Sequence, residues 1–381
     1  MPACTIPPTH LALTRCTMRQ LEQLSIENYK SIRQQTLKLG KLNVFIGGNG
    51  SGKSNLISVF RFLREIVSEN LQGYVGIKGG ADALLHLGQK QSRSMSFSLA
   101  FSQGQIDSTY RVSLVPTADD GLLVEDEVAS LKNAATKADK VSRVRATVPT
   151  KESTLARQAH VASQNAMLDL KSYRVYHFHD TSDSAAVKLT GDVDDNRFLR
   201  PQAENLAAYL FWMRDKHPDH YRNIVDIVRQ VAPFFDDFQL QPSRLNESRI
   251  RLEWRERGSD AYMNAHALSD GTLRFICLVT LLTQPELPGL VLLDEPELGL
   301  HPAAITLLAD LISSASERTQ VIAATQSVSL VNRLKPEDLW TVDRQDGPTQ
   351  FRHLGSSDMS QWLDHYALGE LWEMNVLGAR P

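Results

Sequence analysis

An α/β fold organised around a parallel sheet is what this sequence predicts, and three observations predict it. Short apolar runs recur at Leu42 to Ile46 (LNVFI), Leu290 to Leu293 and Gln320 to Ala324, the pattern of strands buried on both faces. Segments with helical apolar spacing alternate with them, at Asn55 to Asn70 and Ala303 to Ser314. A Gly-rich loop joins the first apolar run to the first helix.

The remaining elements follow in order. Leu21 to Tyr29 alternates, with Leu24 and Ile26 on one face and Ser25 and Glu27 on the other, and Leu37 and Leu39 alternate again. Met95 to Phe101, Tyr110 to Val115 and Leu122 to Val128 read as antiparallel strands. Residues 129–170 are rich in Ala, Ser, Thr, Lys and Arg and read as a mobile helical or irregular insertion. Arg174 to Phe178 is strand-like; Glu204 to Lys216 and Asp219 to Val231 carry helical spacing. Phe238 to Leu240, Arg249 to Trp254 and Ala261 to Ala265 read as short strands, and Leu273 to Leu282 as an apolar helix. Leu339 to Val342 and Gln350 to His353 are weaker strands, and a helix is expected at Met359 to Tyr366.

Composition excludes several classes. The chain has 381 residues, of which 42% are hydrophobic and 22% charged, so wholesale disorder is out. A net charge of −3 excludes a globally basic nucleic-acid binder but leaves room for a local basic patch. No apolar run reaches the length of a membrane span. Cys4, Cys16 and Cys277 form no CxxC pair, which argues against a zinc hook or a disulfide framework and for a reducing cytoplasm. Residues 1–17, with paired prolines and no long apolar core, read as a disordered or added tail before a first patterned residue at Met18.

Gly47-Gly48-Asn49-Gly50-Ser51-Gly52-Lys53-Ser54 matches G-x-x-x-x-G-K-[ST], with a strand before it and a helix after it. Glycines let backbone N–H groups turn inward around phosphate oxygens, and the helix N-terminus adds partial positive charge. Gly47, Asn49, Gly50, Ser51, Gly52, Lys53, Ser54 and Asn55 form the expected phosphate-binding set. Lys53 is expected at the β- and γ-phosphates and the Ser54 hydroxyl on Mg²⁺. Val291-Leu292-Leu293-Asp294-Glu295 is an apolar strand ending in two carboxylates, expected beside the phosphate-loop strand. Asp294 would then hold Mg²⁺ and Glu295 would act as general base toward water. Leu268-Ser269-Asp270-Gly271-Thr272 precedes an apolar helix, which makes it an N-cap or an anion site.

With Pro296-Glu297-Leu298-Gly299-Leu300-His301-Pro302 and Ala323-Ala324-Thr325-Gln326-Ser327 added, the chain resembles the ABC-type ATPases of the SMC/RecF class. It looks closest to the compact RecF-like or AAA-family ATPases of bacterial defence operons and to the ATPase half of OLD-family nucleases. The resemblance also includes Asn28-Tyr29-Lys30-Ser31-Ile32 and spans most of residues 18–381. It implies a P-loop NTPase of ABC/RecF type, with a mixed sheet core, an antiparallel β lobe and a helical signature lobe. The nucleotide lobe would comprise about 18–128 and 286–357. The polar insertion would be 129–170, the signature lobe 171–285 and a C-terminal segment 358–381.

The same resemblance implies ATP and Mg²⁺ as ligands and ATP hydrolysis as the reaction. Glu295, Lys53 and Gln326 become catalytic, Ser54 and Asp294 metal-binding. Ser269 and Gly271 become signature residues that contact the γ-phosphate held by a second copy, and Glu297 to His301 the D-loop. Two positions depart from the pattern. The switch position more often holds His, so Gln326 cannot carry charge and slow hydrolysis is expected. The Q-loop is not clear; Gln89 and Gln91 are candidates, and solvated loop glutamines the plainer reading.

Other signals have bland readings beside sharp ones. His177 and His179 share a strand face and would suit a metal, or line a loop edge. Arg249, Arg251, Arg255 and Arg257 would track a phosphate backbone, or form a mixed-charge face with Glu247, Glu253 and Glu256. Asp192, Asp194, Asp195 and Asn196 lack the terminal Glu of a calcium loop. Trp362 and Trp372, with Leu368, Leu371 and Met374, would dock a partner or pack the core. Three functions compete. The first is a nucleotide-gated homodimer, or higher oligomer, that regulates a separate nuclease-like effector in anti-phage defence. It is expected because only about forty residues follow Val342, too few for a nuclease domain. The second is a RecF-like DNA-repair clamp, and the third a transporter ATPase subunit.

Overall fold

The computed structural model describes residues 19–133, 141–344, 347–355, 362 and 366–380. The expected tail and most of the helix expected at Met359 to Tyr366 lie outside the described residues. Two six-stranded sheets dominate. The first is antiparallel and holds β1 (Gln20–Tyr29), β2 (Ile32–Lys38), β4 (Met95–Gln103), β5 (Ile106–Pro116), β6 (Leu122–Asn133) and β7 (Val141–Arg145), in the order β2-β1-β4-β5-β6-β7. The second holds β3 (Leu42–Ile46), β8 (Tyr173–Tyr176), β14 (Leu290–Asp294), β15 (Gln320–Thr325), β16 (Leu339–Asp343) and β17 (Gln350–His353), in the order β17-β16-β3-β15-β14-β8. Its pairings are parallel except β16 with β17.

Alternation divides this second sheet between two cores. Val44, Ile46, Val291, Leu293, Val321 and Ala323 face one way, packing with a helical layer. Phe45, Leu290, Leu292, Ile322 and Ala324 face the other, packing with α1 (Lys53–Val67) and the antiparallel sheet. A strand covered on both faces needs apolar residues at every position, which is why LNVFI carries no exposed-side polar alternation beyond Asn43. Asn43 is itself satisfied, exchanging 2.9 Å hydrogen bonds with the backbone of Gly40.

Two short helices, α2 (Leu71–Ile77) and α3 (Gly80–Leu84), connect α1 to the antiparallel sheet. The helical layer comprises α5 (Leu206–Lys216), α6 (Pro218–Val231), α7 (Asp270–Thr283), α8 (Pro302–Ser316), α9 (Val328–Val331) and α10 (Leu368–Glu373). In α6, Tyr221, Ile224, Val225 and Val228 form the buried stripe that helical periodicity requires. Small strand pairs decorate this lobe: β9 (Gly191–Asp192) with β11 (Arg249–Ile250), and β10 (Phe235–Phe238) with β12 (Glu253–Glu256) and β13 (Tyr262–Asn264).

Two sequence expectations need correction. Residues 129–170, expected as a helical or irregular insertion, do hold a helix, but where described they also extend the antiparallel sheet and pack into the core. β6 runs on to Asn133, β7 pairs with it, and α4 (Val161–Ser172) buries Ala162, Ser163, Ala166, Met167 and Leu170 in the core. Small residues let this helix approach closely, so the segment packs without the large apolar side chains that periodicity detects. Arg19 and Asp169, both buried, pair at 2.9 Å and tie α4 to the start of β1. The acidic strand β14 is also not beside the phosphate-loop strand β3, because β15 lies between them. Parallel pairing nevertheless brings the strand ends to one edge: Thr325 is level with Ile46, and Asp294 with Ala324.

Candidate nucleotide site

The site grows from that shared C-terminal edge. The loop after β3 turns through Gly50 and Gly52, both at positive φ, and delivers Lys53 to the first turn of α1. Gly52 allows no side chain: a Cβ there would lie 2.3 Å from Thr349 Oγ1. Thr349 in turn shares a 2.7 Å hydrogen bond with Ser31 Oγ and donates to the Ser51 carbonyl at 2.9 Å. Asn55 donates to the same Ser31 hydroxyl at 2.7 Å. The β1–β2 turn and the segment before β17 therefore clamp the loop from outside, a role the sequence showed for neither Ser31 nor Thr349.

Lys53 is buried, and its ammonium donates to the carbonyls of Gly47 and Gly48 at 2.5 and 2.9 Å. Burial lowers its pKa, while Glu295, Asp294 and Glu297 pull it back up. An open cleft of 160 Å³ is lined by Asn49, Gly50, Ser51, Gly52, Lys53, Ser54, Asn55, Glu295 and Gln326. The structure thus brings together the phosphate loop, the second carboxylate of β14's end and the residue after β15. Gly47 supports the loop from behind, where a Cβ would strike the Val342 carbonyl at 2.2 Å.

Asp294 does not itself line that cleft. Its Oδ1 is buried without a hydrogen-bond partner. Burial raises the carboxyl above the usual carboxylate range, the neighbouring Glu295 charge adds to this, and His179 and the Ser54 hydroxyl oppose it. An orphaned carboxylate oxygen next to a serine hydroxyl is a hard oxygen donor set, which fits Mg²⁺. Ser51 Oγ, inside the loop, is likewise buried and unpaired.

Glu295 follows at φ 45°, in the left-handed region that a β-strand end rarely occupies. Its N–H donates to the Ala324 carbonyl at 2.8 Å, which anchors the turn to β15. Its carboxylate accepts a hydrogen bond from the Gln326 side-chain amide. Glu297 is folded back toward the same strand, accepting from Thr325 Oγ1 at 2.5 Å and from the Gln326 N–H at 3.0 Å. Burial raises its pKa, while those bonds oppose the shift.

Ser269 and Gly271 lie elsewhere. Ser269 is the exposed N-cap of α7, its Oγ accepting from the Thr272 N–H at 3.2 Å, and neither residue lines the cleft. Gly271 packs on the loop after β14: a Cβ there would lie 2.6 Å from the Gly299 carbonyl oxygen.

Most of the secondary signals resolve toward their bland readings. His179 Nε2–H donates to the Asp294 carbonyl at 2.8 Å, and His177 Nε2 is in contact with Arg61. Burial, with Arg61 nearby, pushes the His177 pKa down to about 4. Among the described residues no group of three or more His, Cys, Asp or Glu could hold a metal. Arg251 pairs with Glu253, Arg255 with Asp236, and Arg249 bonds the Thr190 carbonyl. Asp195 pairs with Arg200 at 2.6 Å rather than opening a calcium loop. Gln89 donates to Asp120 at 2.5 Å, and Gln91 is exposed; neither lines the cleft. Trp372 is fully buried core, whereas Trp362 is exposed.

A family model described as "AAA domain, putative AbiEii toxin, Type IV TA system" matches residues 42–332. The chain belongs to that AAA-domain family. The match spans the phosphate loop, the α7 N-terminus, the acidic strand end and Gln326. Solved structures agree on the fold. The SmcHead bound to the C-winged helix domain of ScpA superposes with a TM-score of 0.57 at 18% identity, covering 90% of this chain and 99% of that one. The Smc head domain with an extended coiled coil, bound to the C-terminal domain of ScpA and derived from Pyrococcus furiosus, gives 0.57 at 16% identity, covering 91% and 99%. The Smc head domain with a coiled coil and joint from Pyrococcus yayanosii gives 0.50 at 12%, covering 91% and 99%. No curated protein matches the chain. This AAA-domain protein therefore has the P-loop NTPase fold of an SMC head. Among its described residues no helix is long and apolar enough to cross a membrane.

Proposed function

We propose that this AAA-domain protein binds and hydrolyses ATP, and that ATP closes two copies head to tail. The observation that carries the reading is the openness of the cleft. Phosphate loop, Glu295 and Gln326 line it, yet the exposed N-cap Ser269 and Gly271 of the same chain do not. A helix N-terminus with free backbone donors suits a γ-phosphate presented by a second copy. Lys53 would leave the Gly47 and Gly48 carbonyls for the β- and γ-phosphates. Ser54 and Asp294 would hold Mg²⁺, which supplies charge neutralisation at the phosphates. Glu295 would take the proton of the attacking water, and Gln326 orients the Glu295 carboxylate through its amide. Because Gln326 cannot become cationic, turnover is slow.

The role we propose is a cytoplasmic switch: ATP favours the closed pair, and hydrolysis reopens it to regulate a separate nuclease-like effector in anti-phage defence. The family's description, with its toxin of a two-part system, supports a chain that works beside another gene product. Light scattering of Glu295→Gln with and without ATP tests closure; a chain that binds ATP and stays monomeric refutes it. Isolation of the native protein with its neighbouring gene product tests the effector role, which a nuclease-free, phage-sensitive result would sink.

A further inference from the structure

The guanidinium of Arg274, one turn into α7, reaches away from its own helix into two loops. Nη1 donates to the Leu298 carbonyl at 3.0 Å. Nη2 donates to the His179 carbonyl at 2.8 Å and to Thr181 Oγ1 at 3.2 Å. Each loop leads directly to the acidic pair. The Leu298 N–H donates to the Glu295 carbonyl at 3.1 Å. The His179 ring donates to the Asp294 carbonyl at 2.8 Å. Phe178, Leu278 and Leu293 wall the inner side of this junction. The loop is shaped to the guanidinium: Gly299 sits at φ +74°, and a Cβ there would meet Nη1 at 2.3 Å.

We infer that Arg274 is a positioning residue, joining the N-terminus of α7 to Asp294 and Glu295 of the same chain through Leu298 and His179. The inference rests on the head-to-tail reading above and adds a direction to it. A phosphate held by the partner is sensed at Ser269 and Gly271. Arg274, five residues beyond Ser269 and three beyond Gly271, passes the displacement to the carboxylates at the chain's own nucleotide site. Each chain thus sets its own catalytic strand end according to its partner's ligand, which couples the two sites. A planar fork that serves two loops at once does this; a single ammonium does not.

The test is a kinetic split. Arg274→Gln should bind ATP within about two-fold of wild type while kcat falls about 10- to 100-fold, the size of a catalytic group's misplacement. Arg274→Lys should fall as well, because charge alone does not replace the fork. His179→Gln, which keeps an N–H donor, should retain more activity than His179→Leu; this pair leaves α7 untouched if Arg274 variants fail to fold. Mixed dimers give the direction. When Arg274→Gln chains are mixed with Glu295→Gln chains, coupling within a chain leaves the mixture as inactive as its parents. If Arg274 serves only the partner's nucleotide, the mixture recovers activity well above both parents, and the inference is overturned. Wild-type kcat in Arg274→Gln, or equal activity in the two His179 variants, overturns it too. ATP-driven dimerisation of Glu295→Gln alone tests the parent reading separately.

Discussion

The Gln326 side-chain amide donates to the Glu295 carboxylate, across the gap between the ends of β15 and β14. This bond fixes the orientation of a side chain whose backbone already sits at φ 45°. Glu295→Gln is therefore expected to bind ATP, hydrolyse it at least about 100-fold more slowly, and accumulate a closed dimer. Phosphate release and light scattering check this. Equal turnover in mutant and wild type would falsify the general-base role. Gln326→Ala should lower kcat by a smaller factor, about 10-fold, because the carboxylate remains but is unoriented.

Lys53→Ala removes the cation that now rests on the Gly47 and Gly48 carbonyls. The folded chain should melt near the wild-type temperature without nucleotide. Addition of Mg²⁺-ATP should then produce no upward shift, since stabilisation by a ligand follows its affinity. A shift equal to wild type would remove Lys53 from phosphate binding.

Asp294 links pH to stability with a definite sign. Burial raises its folded-state pKa, so the folded chain holds the proton more tightly than the unfolded chain. As pH rises from about 4, the unfolded state ionises first and the folded state loses stability until the raised pKa is passed. That penalty is complete once the pH exceeds the raised pKa. Asp294→Asn should thus stabilise the nucleotide-free protein by about 1 kcal/mol while weakening the response to Mg²⁺. Melting curves between pH 4 and 8, with and without Mg²⁺-ATP, read both effects; a less stable Asn variant at pH 7 would contradict them.

Gly271→Ala drives a methyl to 2.6 Å from the Gly299 carbonyl. The α7 N-terminus must move by several tenths of an ångström. The expected cost in fold stability is about 1–3 kcal/mol. ATP binding by the single chain should persist while ATP-driven dimerisation is lost, because Gly271 does not line the cleft. Fluorescent-nucleotide titration alongside light scattering separates the two; unchanged dimerisation would place Gly271 outside the interface.

The phosphate loop and the acidic strand end were legible because their chemistry is local. Four glycines, a lysine and a serine between a strand and a helix need no distant partner to declare themselves. The sequence alone likewise determined the buried strands β3, β14 and β15, whose apolar runs admit no solvent-facing side. Segment 129–170 was legible only in part: a helix was among its readings, but one packed through Ala162, Ser163 and Ala166 leaves no large apolar stripe to show that it belongs to the core.

The tertiary structure decided what stands next to what. It placed β15 between β3 and β14, brought Thr349 and Ser31 onto the phosphate loop, and turned His179 from a metal candidate into a donor to the Asp294 backbone. It also kept Ser269 off the cleft of its own chain. These relationships join residues as far apart as Ser31 and Thr349, and side-chain periodicity carries no information about strand order or about which loops meet at a sheet edge. Only the packing of two cores on opposite faces of one sheet settles them.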